Sequence, residues 1–192
     1  MASAVLAADG VARERAAGTG VWVFIGVAST LFSLFVTAYV MRMAAADATR
    51  IALPAQLWLS TGCLVAGSVL MNRAARAHGS PSAQRLLWAG GIAAMAFIGA
   101  QLWAWQTLLD AKVGLAANPA ASFFYVFTAL HGLHVLGGLV AWSFAMQAHA
   151  PWRVALCARY WHFLLLLWLG LYAALATVTP DFARFICGTA SP

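Results

Sequence analysis

His131 and His134 stand three residues apart inside an apolar run from Ser122 to Trp142. A helix needs about 20 apolar residues to cross a bilayer, so this run is long enough to span. Ionisable groups at that depth are costly and face protein rather than lipid, which makes the pair the first place to look for chemistry. At about 100° per residue, His131, His134, Gly138, Ala141 and Ala145 fall within about 80° of one another on such a helix. That stripe is expected against a neighbouring helix, with both imidazoles bonded to backbone or side-chain partners. The rival reading is metal or haem ligation. Both histidines project from one side of one helix, so a bis-histidine haem would need a second helix to supply the opposite ligand. The other histidine within an apolar run is His162, near the start of the last run, and its depth is expected to match theirs poorly.

Carboxylates inside a span would mark a proton or cation pathway. All five acidic residues lie in the tail, the loops or the C-terminal segment. This argues against a di-iron bundle, which needs several inward-facing Glu, and against a proton-coupled transporter working alone. Ser29, Ser33, Thr37, Gln101 and Gln106 are the other polar groups in or near the runs, and are expected to bond a carbonyl one turn back or across helices.

The elements that must position these residues follow from composition. Of 192 residues, 64% are hydrophobic and 8% charged, against about half and a quarter in a soluble domain, so the chain reads as a membrane protein. Five apolar runs are each long enough to cross, at about 20–43, 54–71, 86–109, 121–148 and 154–178. Pro54, Pro81, Pro119, Pro151 and Pro180 fall at or outside run ends, where a missing N–H is tolerated. The expected fold is therefore all-α, one bundle of five transmembrane helices, with residues 1–19 a flexible tail and 179–192 a C-terminal tail. Seven of the eleven basic residues (Arg13, Arg15, Arg73, Arg76, Arg85, Arg153 and Arg159) would share one side, which puts the N-terminus in the cytoplasm and the C-terminus outside. The net charge of +6 is thus a topology signal, not a nucleic-acid footprint. Cys63, Cys157 and Cys187 are odd in number and far apart without metal spacing; two fall inside apolar runs, and they read as small membrane-buried thiols. Close helix approach is expected at Gly62 with Ala66, Gly90 with Ala94, and Gly137 with Ala141.

Across residues 20 to 178 the sequence resembles subunit III of the haem–copper terminal oxidases. The strongest piece is Phe-Phe-Tyr-Val-Phe-Thr-Ala-Leu-His131-Gly132-Leu-His134-Val-Leu-Gly-Gly138, similar to that family's His-Gly-Leu-His signature. Arg159-Tyr160-Trp161-His162-Phe163 with Trp168 is similar to its Trp-His-Phe segment. Gly20-Val-Trp22-Val-Phe24 with Phe32 and Tyr39 resembles its opening helix, and Phe97-Ile-Gly-Ala-Gln101 matches less specifically. The resemblance implies a subunit without haem or copper of its own, in the five-helix form of a bacterial inner-membrane complex. It would pack against subunit I, with subunit II and a small subunit IV beside it, and bind phospholipid. Trp161 and His162, with Arg73 and Arg76, would then lie near lipid headgroups. The acids that the family usually carries are missing here, at Ala28, near Gln101 and Ala104, and at Leu165. Their absence makes a nitric-oxide reductase-associated relative an alternative, and a small haem-binding cytochrome using His162 with His131 or His134 is a second.

Overall fold

A computed structural model describes residues 2–77, 80–147 and 150–188, with side chains from Gly10 onward. The described residues hold helices only: α1 (Ala2–Met43), α2 (Gln56–Arg76), α3 (Pro81–Asp110), α4 (Pro119–Gln147), α5 (Pro151–Thr177) and α6 (Pro180–Ile186). Four of them, α1, α3, α4 and α5, are long and apolar enough to cross a membrane. The shorter α2 falls outside that group because serine, threonine and glycine dilute its apolar residues and Asn72, Arg73 and Arg76 close it.

Proline opens α3, α4, α5 and α6, where its absent N–H costs no hydrogen bond. Asn118 caps α4 by accepting from the Ala121 N–H at 2.8 Å. The α3–α4 loop turns through Lys112, whose φ of 60° is left-handed. The Tyr125 hydroxyl then holds that loop by donating to the Val113 carbonyl at 2.9 Å.

Helices α2 to α5 form the packed centre and α1 leans on α4 and α5. Chain neighbours run antiparallel: Gln56, at the start of α2, donates to Thr107, near the end of α3, at 3.1 Å. An aromatic seam fixes α1, with Phe24 and Phe32 against His134 and Tyr39 against Phe123 and Phe127. Glycine sets the closest approaches. A side chain at Gly91 would overlap the Trp142 indole, whose N–H passes over it to donate to the Leu87 carbonyl at 2.7 Å. At Gly138 a Cβ would meet Tyr160, Leu164 and Trp161 at 3.1–3.3 Å. Gly90 faces Met71, as the Gly90–Ala94 spacing predicts. Gly62, by contrast, is exposed, and α2 meets α3 through Gly67 instead.

The bundle is turned inside out relative to a soluble protein. Ser60, Ser68, Gln101, Thr128 and His131 are buried, while Val23, Leu34, Trp58, Leu133, Val140 and Leu166 are more than half exposed. An aqueous surface does not carry so much contiguous apolar side chain.

Two segments differ from the sequence reading. The tail expected over 1–19 is helical from Ala2 and continuous with the first apolar run, as its alanine-rich composition favours. Within the expected C-terminal tail, residues 180–186 form α6, because Thr179 caps it by accepting from the Phe182 N–H at 3.0 Å and Pro180 fixes its first turn. Ala148, the expected end of the fourth run, and residues 189–192 lie outside the described residues.

Gly91→Ala is expected to lower stability in detergent by about 1–3 kcal/mol through overpacking on Trp142. Gly99→Ala, with nothing within 4 Å of a Cβ, is expected to be neutral or better in the same unfolding assay.

In the last turn of α1, Arg42 grips Asp47 of the following loop through both carboxylate oxygens at 2.7 and 2.6 Å. That hydrogen bonding holds the Asp47 carboxyl below its ordinary range. Its folded value is depressed, so the tether is complete above the usual carboxylate pKa and is lost as pH falls through the lower folded value. Amide exchange over residues 44–50 should therefore quicken on acidification in the native chain and not in Asp47→Asn.

Candidate functional site

The two signature histidines face different neighbours. His131 is fully buried between α3 and α5, its ring 5.5 Å from Phe97 and 5.2 Å from Trp168. His134 turns to α1, between Phe24 and Phe32, and its Nδ1 pairs with the Leu130 carbonyl one turn back at 2.7 Å. The helix backbone joins in, because the Tyr160 hydroxyl of α5 donates to the His134 carbonyl at 3.0 Å. The expected single histidine face is therefore split between two interfaces. A polar partner for each imidazole holds for His134 only; neither ring nitrogen of His131 has a hydrogen-bond partner among the described residues.

Around His131 lies a set of cross-helix hydrogen bonds. Trp168 Nε1 donates to Thr61 Oγ1 at 2.9 Å, and Gln101 Nε2 to Ser60 Oγ at 2.8 Å. Ser60 and Thr61 pass their own protons to the Leu57 carbonyl at 2.9 and 2.7 Å. Trp105 Nε1 donates to Thr128 Oγ1 at 2.9 Å, and Thr128 to the Phe124 carbonyl at 2.7 Å. The hydroxyls thus serve twice, bonding their own helix and accepting from the next one. Residue spacing named Gln101 in advance but not Ser60, Thr61 or Thr128, since small hydroxyl residues in apolar runs look alike until a neighbour's indole reaches them.

The Trp161–His162 pair is divided too. Trp161 is fully buried below Gly138, so its expected place among lipid headgroups does not hold. Its neighbour one turn back is Cys157. His162 is on the bundle surface, paired through Nδ1 with Ser68 Oγ of α2. It lies 11 residues into α5, roughly 16 Å along the axis at 1.5 Å per residue, which is deeper than a headgroup position. Its depth is comparable to that of His134, because Tyr160 and Leu164 flank His162 and reach His134 and Gly138. Direction separates the three imidazoles: His131 faces α3 and α5, His134 faces α1, and His162 faces α2. No group of three or more His, Cys, Asp or Glu comes together among the described residues. Gly132 lines an open groove of about 250 Å³ between α3 and α4, and Phe163 lines another of about 530 Å³ between α1 and α5. Arg73 and Arg76 are exposed in the last turn of α2.

A larger groove of about 600 Å³ lies between α1, α4 and α5. Its walls are Val21, Phe24, Gly137, Phe144 and Leu156, with Trp152 and Arg153 at one end. The Arg153 guanidinium sits 5.2 Å from the Trp152 ring centre, and Arg159 lies 5.6 Å from that of Trp22 on α1.

The fold and these faces define a multi-pass, all-helical membrane protein. The chain is 33% identical to a cytochrome c oxidase subunit 3 of Thermostichus vulcanus over 48% of its length and 49% of that protein's. Identity is 32% to the subunit 3 of Synechocystis sp., over 57% of this chain and 51% of the relative. It is 26% to the cytochrome bo(3) ubiquinol oxidase subunit 3 of Pseudomonas aeruginosa, over 50% and 51%. Over these stretches the chain is similar to subunit 3 proteins of both cytochrome c and ubiquinol oxidases. The chain spans about half the length of the relatives it matches. No family model matches it.

The aromatic slot makes three predictions. His131→Phe keeps a ring between Phe97 and Trp168 and removes partnerless polar atoms, so unfolding stability should hold or rise. His131→Ala leaves a cavity and should cost about 3 kcal/mol. Trp168→Phe, by removing the donor to Thr61, should cost about 0.6 kcal/mol, the average for hydrogen bonds between membrane helices, and no more than about 1.7.

Proposed function

We propose that the chain is an accessory subunit of a bacterial haem–copper respiratory oxidase, seated in the inner membrane without a redox centre of its own. The observation that carries this reading is the similarity to several oxidase subunit 3 proteins, joined to a signature helix whose His131 is buried and whose His134 is half-buried, each between aromatic rings. In that complex the chain stabilises subunit I, which holds haem and copper and reduces dioxygen, with subunits II and IV as further neighbours. Helix α2 is the fifth span. Its outward side is Trp58, Leu59, Val65 and Val69, and its buried side carries Ser60, Thr61 and Ser68. Polar groups turned inward and apolar ones outward suit lipid on that face.

The end of the bundle carrying Arg73, Arg76, Arg85, Arg153 and Arg159 is cytoplasmic by the positive-inside bias. Phospholipid lies in the groove between α1, α4 and α5, acyl chain along Phe24 and Phe144 and phosphate at Arg153. Arg73 and Arg76 are further phosphate contacts. A second reading, association with a nitric-oxide reductase, draws on Ala28 and Ala104, which are buried apolar residues where the family usually carries acids.

Affinity purification of the tagged chain from its native membrane is expected to bring down a haem–copper polypeptide with oxidase activity. The chain purified alone should show no Soret absorption. An eluate lacking any haem–copper protein sinks the first reading, and a nitric-oxide reductase in its place selects the second.

A further inference from the structure

We propose that α6 is an interfacial helix whose Phe182, Phe185 and Ile186 are seated in lipid at the end of the bundle where α5 finishes. The three are 48%, 76% and 56% exposed, and their spacing of i, i+3 and i+4 puts them on one face. Ala183, fully buried, turns to the bundle where α6 meets α1. Asp181 and Arg184, bonded to each other at 2.7 Å, are centred about 120° round the helix from the apolar trio. Three arcs result: one on protein, one apolar and open, one charged.

The depth of α6 names its partner. Helix α5 has 27 residues, about 40 Å at 1.5 Å each, against a hydrocarbon core of about 30 Å, so its end reaches the headgroup zone. Arg50 donates to the Ala176 carbonyl in that last turn at 2.7 Å, which marks the level where a guanidinium meets water. Only Val178 and Thr179 separate this turn from α6. An amphipathic helix held at that level, with large apolar side chains on one arc and charges on another, fits the boundary between acyl chains and headgroups. The inference rests on the membrane-spanning reading of α5 and not on the oxidase assignment.

The test is nitroxide accessibility on the full chain, in a background with Cys63, Cys157 and Cys187 replaced by Ala, reconstituted in phosphatidylcholine–phosphatidylglycerol vesicles. Labels are placed singly at Phe185→Cys, Ile186→Cys and Asp181→Cys. The ratio of oxygen to nickel-chelate collisions is expected to be several-fold higher at 185 and 186 than at 181. Equal ratios at the three sites put the apolar arc in water and overturn the proposal. Immobile labels at 185 and 186 that neither reagent reaches mean a protein surface covers the arc, which overturns it equally. Two independent apolar positions guard against one variant failing to assemble.

Discussion

A polar group inside a bilayer has no water to fall back on, and the centre of this bundle is built around that constraint. Ser60, Thr61 and Thr128 each give their proton to a carbonyl of their own helix and keep a lone pair for a donor from the next one. Trp168, Gln101 and Trp105 supply those donors. Each such bond contributes modestly, but each fixes a register and an azimuth between two helices, which apolar packing against lipid-like neighbours does not do. Helix α2 holds two of the three acceptors and the Ser68 that meets His162. Its low hydropathy and its central place thus have one cause: the hydroxyls that dilute its apolar character tie α3 and α5 to it.

The second constraint is how close the backbones come. Gly91 and Gly138 are glycines because an indole and a phenol ring occupy the volume a side chain would need. At Gly91 the absent Cβ also opens the helix backbone, so that Trp142 can donate to Leu87. Large aromatic residues and glycine are therefore paired features, and neither makes sense alone. The same pairing accounts for the burial of Trp161 beneath Gly138, although tryptophan near a span end reads as an interfacial residue from sequence.

The main helices were legible because apolar runs bounded by proline leave few alternatives, and the helix starts at Pro81, Pro119 and Pro151 fall within a turn or two of the predicted runs. What sequence could not give was azimuth. At i and i+3 His131 and His134 share a face on a helical wheel, yet that face is wide enough to touch α1 on one flank and α3 with α5 on the other. Gly62 with Ala66 has the spacing of a helix contact and faces outward, while Gly67 makes the contact. Helix α6 escaped notice for a different reason. At seven residues it is too short to register as periodicity, although its cap and its proline were in plain view.

His131 is the residue whose meaning changes most. Its ring is fully buried, and neither nitrogen has a hydrogen-bond partner among the described residues. Phe97 and Trp168 meet it as one aromatic ring meets another, edge-on and tilted. Trp168 in turn stacks on Tyr172, which meets Trp58 edge-on, so a column of rings runs from the middle of the bundle to its surface. Within that column the imidazole acts through its shape. Its two aromatic neighbours lie on different helices, so the ring packs α4 against α3 and α5 at once. His131 thus joins α4 to α3 and α5 through its ring, by packing rather than by hydrogen bonding.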